Sequence, residues 1–305
     1  MPTDYASGSN QQTLVGLESA WGTIATQFAI VPTSQNSLAA ARNILDDDTL
    51  RPDRQTVSIR TGLKTVAGEL PVKFRYADYD ELLAGALMGS WQTNVLKMGT
   101  TESSFSIEKG FTDIGQYLVY LGCKVSGISL SVQPDSLILL TFKYIGKTAV
   151  PPATASADLT PTASSTNPPF DSFTGSILEG GVATGAITSL ELNIDNQMEG
   201  KPVLFSKTVG RITHKRVKVS GTLNTLFTSV AMLNKFLNET ASSISFTLTD
   251  LLGNAYTFLL PALKYTAGDP PITTEGEIIQ ALSFSAYYDG TQATTLKVTR
   301  TPHAQ

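Results

Sequence analysis

The chain has 305 residues, long enough for two domains of ordinary size, each able to bury its own core. Its hydrophobic content is 41% and its charged content 16%, and the many Thr, Ser, Val, Gly and aromatic residues predict a mostly β protein. A formal net charge of -4 argues against electrostatic gripping of nucleic acid, which needs a concentrated basic face. One cysteine, Cys123, excludes an intrachain disulfide scaffold and reads as a small buried hydrophobe. The start lacks a basic region followed by an apolar one, and no run reaches the length of a membrane span, so a soluble chain made in the cytoplasm is expected.

Residues 1 to 15 are small and polar, which predicts an arm without a core of its own, disordered or docked on a neighbour. Apolar residues return from Val15 to Val31, broken by Gly22 and Thr23, so a strand after a turn is expected, with Trp21 as a core or interface anchor. Residues 33 to 64 form the longest charged stretch of the first half and read as an extended loop or hairpin. Asp46, Asp47 and Asp48 there lack the alternate ligand spacing and turn glycine of a Ca²⁺ loop, so a solvated acidic turn explains them. Beyond Leu38, Ile44, Leu45 and Leu50 the stretch offers little to bury, and poor order in the isolated chain is expected.

From Val66 to Trp91 the pattern changes period. Val66, Gly68, Leu70, Val72, Phe74 and Tyr76 share one strand parity, while Tyr79, Leu82, Leu83, Ala86 and Leu87 fall at helical spacing, predicting a helix near Asp78 to Met88 capped by Asp78 or Asp80. The same succession returns from Val217 to Leu237, where Val219, Gly221, Leu223, Thr225 and Phe227 alternate before a helix opened by Ser229. Downstream, Ser104 to Ile107 resembles Ser245 to Leu248, Tyr117 to Lys124 resembles Tyr256 to Lys264, and Leu140, Phe142 and Gly146 match Leu282, Phe284 and Gly290. The succession predicts an internal duplication.

The segment 149–170 is rich in Pro, Ala, Thr and Ser and reads as an extended, semi-rigid linker that spaces the halves without a large interface. Residues 1–148, with the arm and the charged loop, and 171–305 are the predicted domains. In the second, a turn carrying Gly180, Gly181 and Gly185 precedes a strand from Ile187 to Ile194, and Asp250 to Asn254 is a hairpin turn.

No constellation for chemistry emerges. His214 lies in a basic cluster with Arg211, Lys215 and Arg216, His303 lies in the tail, and no G-x-S-x-G elbow occurs. Asp78 with Asp80 and Glu275 with Glu277 are explained by capping and turn solvation. No catalytic, metal or cofactor-binding residue is assigned, and no cofactor is expected.

ESAWGT (Glu18 to Thr23), RPDR (Arg51 to Arg54) and GLKTVAGELPVKFRYADYDELLAGALMGSW resemble the first half of the tail tube proteins of long-tailed, non-contractile bacteriophages. SLELNIDNQ (Ser189 to Gln197), VSGTL (Val219 to Leu223) and DLLGNAYTFLLPALKY (Asp250 to Tyr265) extend the resemblance over nearly the whole chain. It implies two tandem tube domains, each a β-sandwich or partial barrel with a flanking helix, whose inner sheets join into rings that stack into the conduit for DNA ejection. A duplicated subunit would close as a trimer with pseudo-sixfold symmetry, and tape measure, distal-tail and tail-terminator proteins would be its partners. DNA would pass the lumen without specific binding, and a neutral or net negative lumen is expected. The inter-ring contact is expected at Leu45, Asp46, Asp47, Asp48, Leu50, Arg51 and Arg54, the charges setting register and the leucines supplying buried area. The rival reading is a β-sandwich binding module, such as a receptor-binding or capsid-decoration protein, which would present an aromatic patch on its loops.

Overall fold

The computed structural model describes residues 5–184, 187–272 and 275–303. The first half runs through β1 (Gln11–Leu17), β2 (Ala29–Ile30), β3 (Ala39–Asp46), β4 (Ile59–Lys73), α1 (Asp80–Leu87), β5 (Val95–Lys97), β6 (Phe105–Phe111), β7 (Gln116–Val132), β8 (Leu139–Gly146) and β9 (Thr148–Ala149). The second runs through β10 (Gly175–Glu179), β11 (Val182–Ala183), β12 (Ile187–Asp195), β13 (Glu199–Lys201), β14 (Arg211–Thr213), β15 (Lys218–Leu226), α2 (Ala231–Leu237), β16 (Ser242–Thr249), β17 (Ala255–Ala267), β18 (Ile279–Ala286) and β19 (Lys297–Thr301). The protein is mainly β, with antiparallel ladders packed as sandwich-like layers.

Alternation explains the long strands. In β4, Val66, Leu70 and Val72 are buried, followed by Phe74, while Ala67 and Lys73 face out. α1 follows at the predicted change of period, and Met88 closes it in the left-handed conformation with φ 48°. The predicted aspartate cap is absent, for the N-cap is Tyr79 and has no side-chain cap bond. Asp78 is drawn away to accept the Ser165 amide at 2.7 Å, and Asp80 to accept from Tyr256 and Arg300.

Two further expectations are corrected. Residues 11 to 15 are no loose arm, because β1 pairs with β2 and along its whole length with β6, burying Thr13, Leu14 and Val15. Its Thr and Gln side chains suit a strand whose polar groups meet partners inside the sheet, as Thr13 does with Gln11 and Asn36. The segment 149–170 is no bare spacer. Phe170 is fully buried and donates its amide to Phe74 at 2.8 Å, while Ser156 and Ala157 bind the buried carboxylate of Glu108. Nor do the halves stand apart, since one core runs through both, with Phe74 and Tyr256 stacked at 5.1 Å. Gly180 and Gly181 take positive φ at the β10–β11 turn, and Gly185 lies outside the described residues.

The ladder order of the first half is β2-β1-β6-β7-β8-β4-β3. That of the second is β11-β10-β16-β17-β18-β15-β12. Register irregularities recur at equivalent places, between 105 and 107 against 242 and 244, and between 125 and 127 against 265 and 267. These registers set Phe105 against Ser242 and Tyr144 against Phe284, so the sequence matches drawn for β6 and β8 are displaced by four and two residues. Alternating strands tolerate such slips by even numbers, which preserve the buried face.

Candidate assembly surfaces

β3 and β4 form a hairpin that outgrows its sheet. β8 covers β4 only from Val66 to Lys73, so the far end, with the connecting residues 47–58, projects as an arm. All eight residues of β3 are exposed, for no layer lies over them in the subunit. Leu45 and Leu50 are exposed, Leu50 at 97%. Asp47 turns inward on its own loop, accepting from the Thr49 amide at 3.2 Å and hydroxyl at 2.5 Å, and the hydroxyl bond holds its pKa below the ordinary carboxylate value. Arg51 grips Asp53 through Nε at 3.0 Å and Nη2 at 2.7 Å, and Arg54 takes φ 60° at the turn. Asp46 and Asp48 remain exposed. The structure thus gathers the seven residues singled out in the sequence on one arm, with Arg51 already engaged within it.

A second arm escaped the sequence reading. Between β12 and β15 the chain leaves the sheet from Asn196 to Val217, braced by the β13–β14 ladder. Its tip carries Val203, Leu204 and Phe205, the last fully exposed with φ 63°. Lys201, Lys207, Arg211, Lys215 and Arg216 make it basic, where the first arm carries both signs, Asp46, Asp47, Asp48 and Asp53 against Arg51, Arg54, Arg60 and Lys64. The arms lie side by side, the Lys64 amide donating to the Lys207 carbonyl at 2.8 Å. His214 faces Glu102 at 3.3 Å, and Glu102 also pairs with Lys124, whose hydrogen bond keeps the carboxyl pKa low. Three successive apolar residues after Pro202 break strand parity, and they were the available signal.

The two halves meet edge to edge. β12 adds to the C-terminal part of β7, Leu190 opposite Val132 through Asp195 opposite Gly127. Eight strands thereby form one run, β3-β4-β8-β7-β12-β15-β18-β17. Across its outer face runs the row Thr141, Ser129, Asn193, Ser220, Ser285 and Lys264, each opposite the next. The Ser129 hydroxyl donates to Asn193 at 2.6 Å. Glu69, Glu191 and Asp195 share that face with Lys73, Lys143, Lys218 and Lys264, so charges of both signs are dispersed among hydroxyls and amides.

Beneath the joint, Asp80 of α1 accepts from Tyr256 and pairs with Arg300, whose guanidinium lies 4.8 Å from the Trp91 ring centre. Burial raises the Asp80 pKa against the opposing pull of Tyr256 and Arg300, and raises that of Tyr256. Asn196 donates to the carbonyls of Ala86 at 2.9 Å and Val125 at 3.1 Å, tying β12 to the end of α1. β19 extends the contact by pairing with β5 and β17. These groups hold structure together, and among the described residues no three His, Cys, Asp or Glu side chains gather as a metal site.

The sequence matches the family model described as phage tail tube protein over residues 8–286. No match was found among curated proteins.

Proposed function

The chain belongs to the phage tail tube protein family, and from that premise we propose that it is the repeating subunit of the tube of a long-tailed, non-contractile phage, closing in threes into pseudo-sixfold rings. The observation that carries this reading is the ladder order that recurs in both halves, which supports a duplicated tube domain at 1–148 and 171–305 joined through 149–170. Three such chains would supply six equivalent units to a ring. Closing the ring removes the open sheet edges, which otherwise invite uncontrolled pairing.

In this reading the eight-strand run faces the lumen. Its Thr, Ser and Asn row offers hydrogen bonds that exchange readily with water, and its charges, three carboxylates dispersed among four lysines, form no basic track while leaving the face one charge positive rather than neutral or net negative as expected. A continuous lining of lysines would retain phosphates and slow DNA passage. The two arms point along the axis and meet the next ring, Asp46, Asp47 and Asp48 facing basic groups there, Leu45 and Leu50 burying area, and Arg51 and Arg54 answering acids once Arg51 leaves Asp53. Each exposed pair contributes about 0.2–1 kcal/mol, and repetition around a ring multiplies it. Tape measure, distal-tail and terminator proteins would set the length and ends.

Electron microscopy of the purified chain at high concentration tests the reading. Stacked rings of three subunits are expected, and a persistent monomer would overturn it. Deleting Asn43 to Asp53 should leave folding intact and abolish tubes; tubes of normal length from that variant would place stacking elsewhere.

A further inference from the structure

The intrachain joint between β7 and β12 has an equivalent pair of edges at the two ends of the eight-strand run. The matching irregularities place each β7 residue against the β17 residue 140 positions later, so Val125 corresponds to Tyr265 and Gly127 to Ala267. On the other side, Gly68 and Gly221 lie opposite Tyr144 and Phe284, making Val66 equivalent to Val219. Ala40 opposite Val66 then corresponds to Ile194 opposite Val219. Leu38 and Leu192 occupy one place, and both are buried. In the chain, β12 sits on β7. Its equivalent β3 has no strand on its outer side among the described residues, and neither has the C-terminal part of β17.

The geometry points to a second copy of this chain as the occupant of both edges: β3 of one copy pairs antiparallel with Ala267, the last residue of β17 in the next, and with the three residues that follow it. The inference rests on the tube reading and specifies its in-plane contact. Transferring the register of β7 and β12 sets Ala41 opposite Ala267, Ala40 opposite Gly268, Ala39 opposite Asp269 and Leu38 opposite Pro270. The Asn196 amide, which donates to Ser126, corresponds to the Arg42 amide facing Thr266.

Two details of the edge fit this register. Pro270 has no N–H to give to Leu38, and Leu38 needs none, because its carbonyl accepts from the Lys109 ammonium at 2.9 Å and its amide donates to Asn36 at 3.1 Å. The proline therefore faces the edge residue whose backbone groups are already satisfied, and Ala40 and Arg42 are left to form the rungs, Ala40 by accepting from the Gly268 amide, since the Gly268 carbonyl already accepts from Gln280 at 2.6 Å. Arg42 also stands where Asn196 stands in the intrachain joint. Its guanidinium would reach the Tyr265 carbonyl and the C-terminal end of α2, where a cation is favoured by the helix dipole.

The copy is not literal. A Cβ at Gly127 would lie 2.4 Å from the Ile194 carbonyl, and its place is taken by Ala267 with Gly268 following. β17 ends at Ala267 and residues 268–270 continue it outside any ladder before Pro271, so the interchain ladder is shorter than the intrachain one and is completed on assembly.

Disulfide trapping tests the register, since the native thiol Cys123 is buried. Ser129→Cys with Asn193→Cys, the touching pair of the intrachain joint, should link within the monomer and show that the chemistry works. Ala39→Cys with Asp269→Cys, the transferred pair, should link tubes into covalent trimers on mild oxidation and leave dilute monomer unlinked. Ala41→Cys with Ala267→Cys provides a second facing pair should the first disturb folding. Ala40→Cys with Asp269→Cys points the thiols to opposite faces and should not link. Tubes that form without linking at either facing pair, or that link at 40 and 269 instead, would overturn this joint while leaving the tube reading standing. Failure of the unsubstituted chain to form rings would overturn the tube reading and the joint with it.

Discussion

α1 and α2 hold the same place in the order of strands, yet α1 fully buries Leu82, Leu83, Gly85, Ala86 and Leu87 and no residue of α2 is fully buried. The difference is what lies beyond each sheet edge. α1 is covered by the second half, which brings Tyr256, Arg300 and Asn196 against it. α2 has β17 beneath it, Met232 and Phe236 half in contact with the core, and a polar clamp in which Lys235 binds Glu179 at 2.7 Å. Glu179 also accepts from Ser242 at 2.6 Å and Tyr265 at 2.9 Å, so the buried carboxylate is fully partnered. A helix with one apolar stripe is thus core in one half and surface in the other.

That contrast can be broken by substitution, beginning with the helices themselves. Leu83→Ala should destabilise the subunit by about 2–5 kcal/mol in denaturant titration, because it leaves a cavity in a closed core. Phe236→Ala in α2 should cost the free subunit less, about 1–2 kcal/mol, since that ring packs against the core but stays partly in water. Equal losses would show that α2 is as enclosed as α1.

The clasp over α1 comes next. Asp80→Ala leaves the Tyr256 hydroxyl and the Arg300 guanidinium without their acceptor and should cost about 2–3 kcal/mol, with hydrogen exchange rising in α1 and β19. A loss confined to α1 would mean that Arg300 does not join the halves there.

Substitutions at the arm tips should scarcely touch folding. Leu50→Ser and Phe205→Ser should change subunit stability by less than about 0.5 kcal/mol, as both side chains are already in water, while each should reduce tube yield in sedimentation. Unchanged yield for Phe205→Ser would remove the second arm from the contact.

The smallest effect concerns pH. The Lys124 hydrogen bond holds the Glu102 pKa below its unfolded value of 4.5, so this contribution is present above that value and is lost as pH falls through the folded value. Glu102 joins the second arm through His214, so the protection of the amides from Arg211 to Lys215, taken as exchange relative to the intrinsic rate at each pH, should fall as pH drops below 4.5 in the free subunit. Protection that does not change across this range would show the arm to be held by its backbone contacts alone.

Local chemistry was legible where it is short in range. The alternation through Val66, Leu70 and Val72, the change of period at α1, and the Asp250 to Asn254 turn follow from side-chain parity and turn preference, and the structure keeps all three. Misreadings came where polar residues found distant partners. β1 was hidden because Gln11, Gln12 and Thr13 look like a solvated arm until β6 lies beside them. The aspartates at α1 look like caps until Tyr256 and Arg300, far along the chain, claim one of them. Of the candidate assembly surfaces, the charged arm was visible in its composition and the second arm was not, since its basic residues are scattered and its apolar tip is three residues long.

The amino-acid sequence by itself determined a β protein of repeated strand and helix successions, because period and turn chemistry act over a few residues and need no knowledge of the fold. Tertiary structure alone decided that the halves share one core, that β12 completes β7, and which of two similar helices is buried. Those outcomes depend on which edge meets which neighbour, and an edge strand has the same sequence pattern whether or not a partner is beside it.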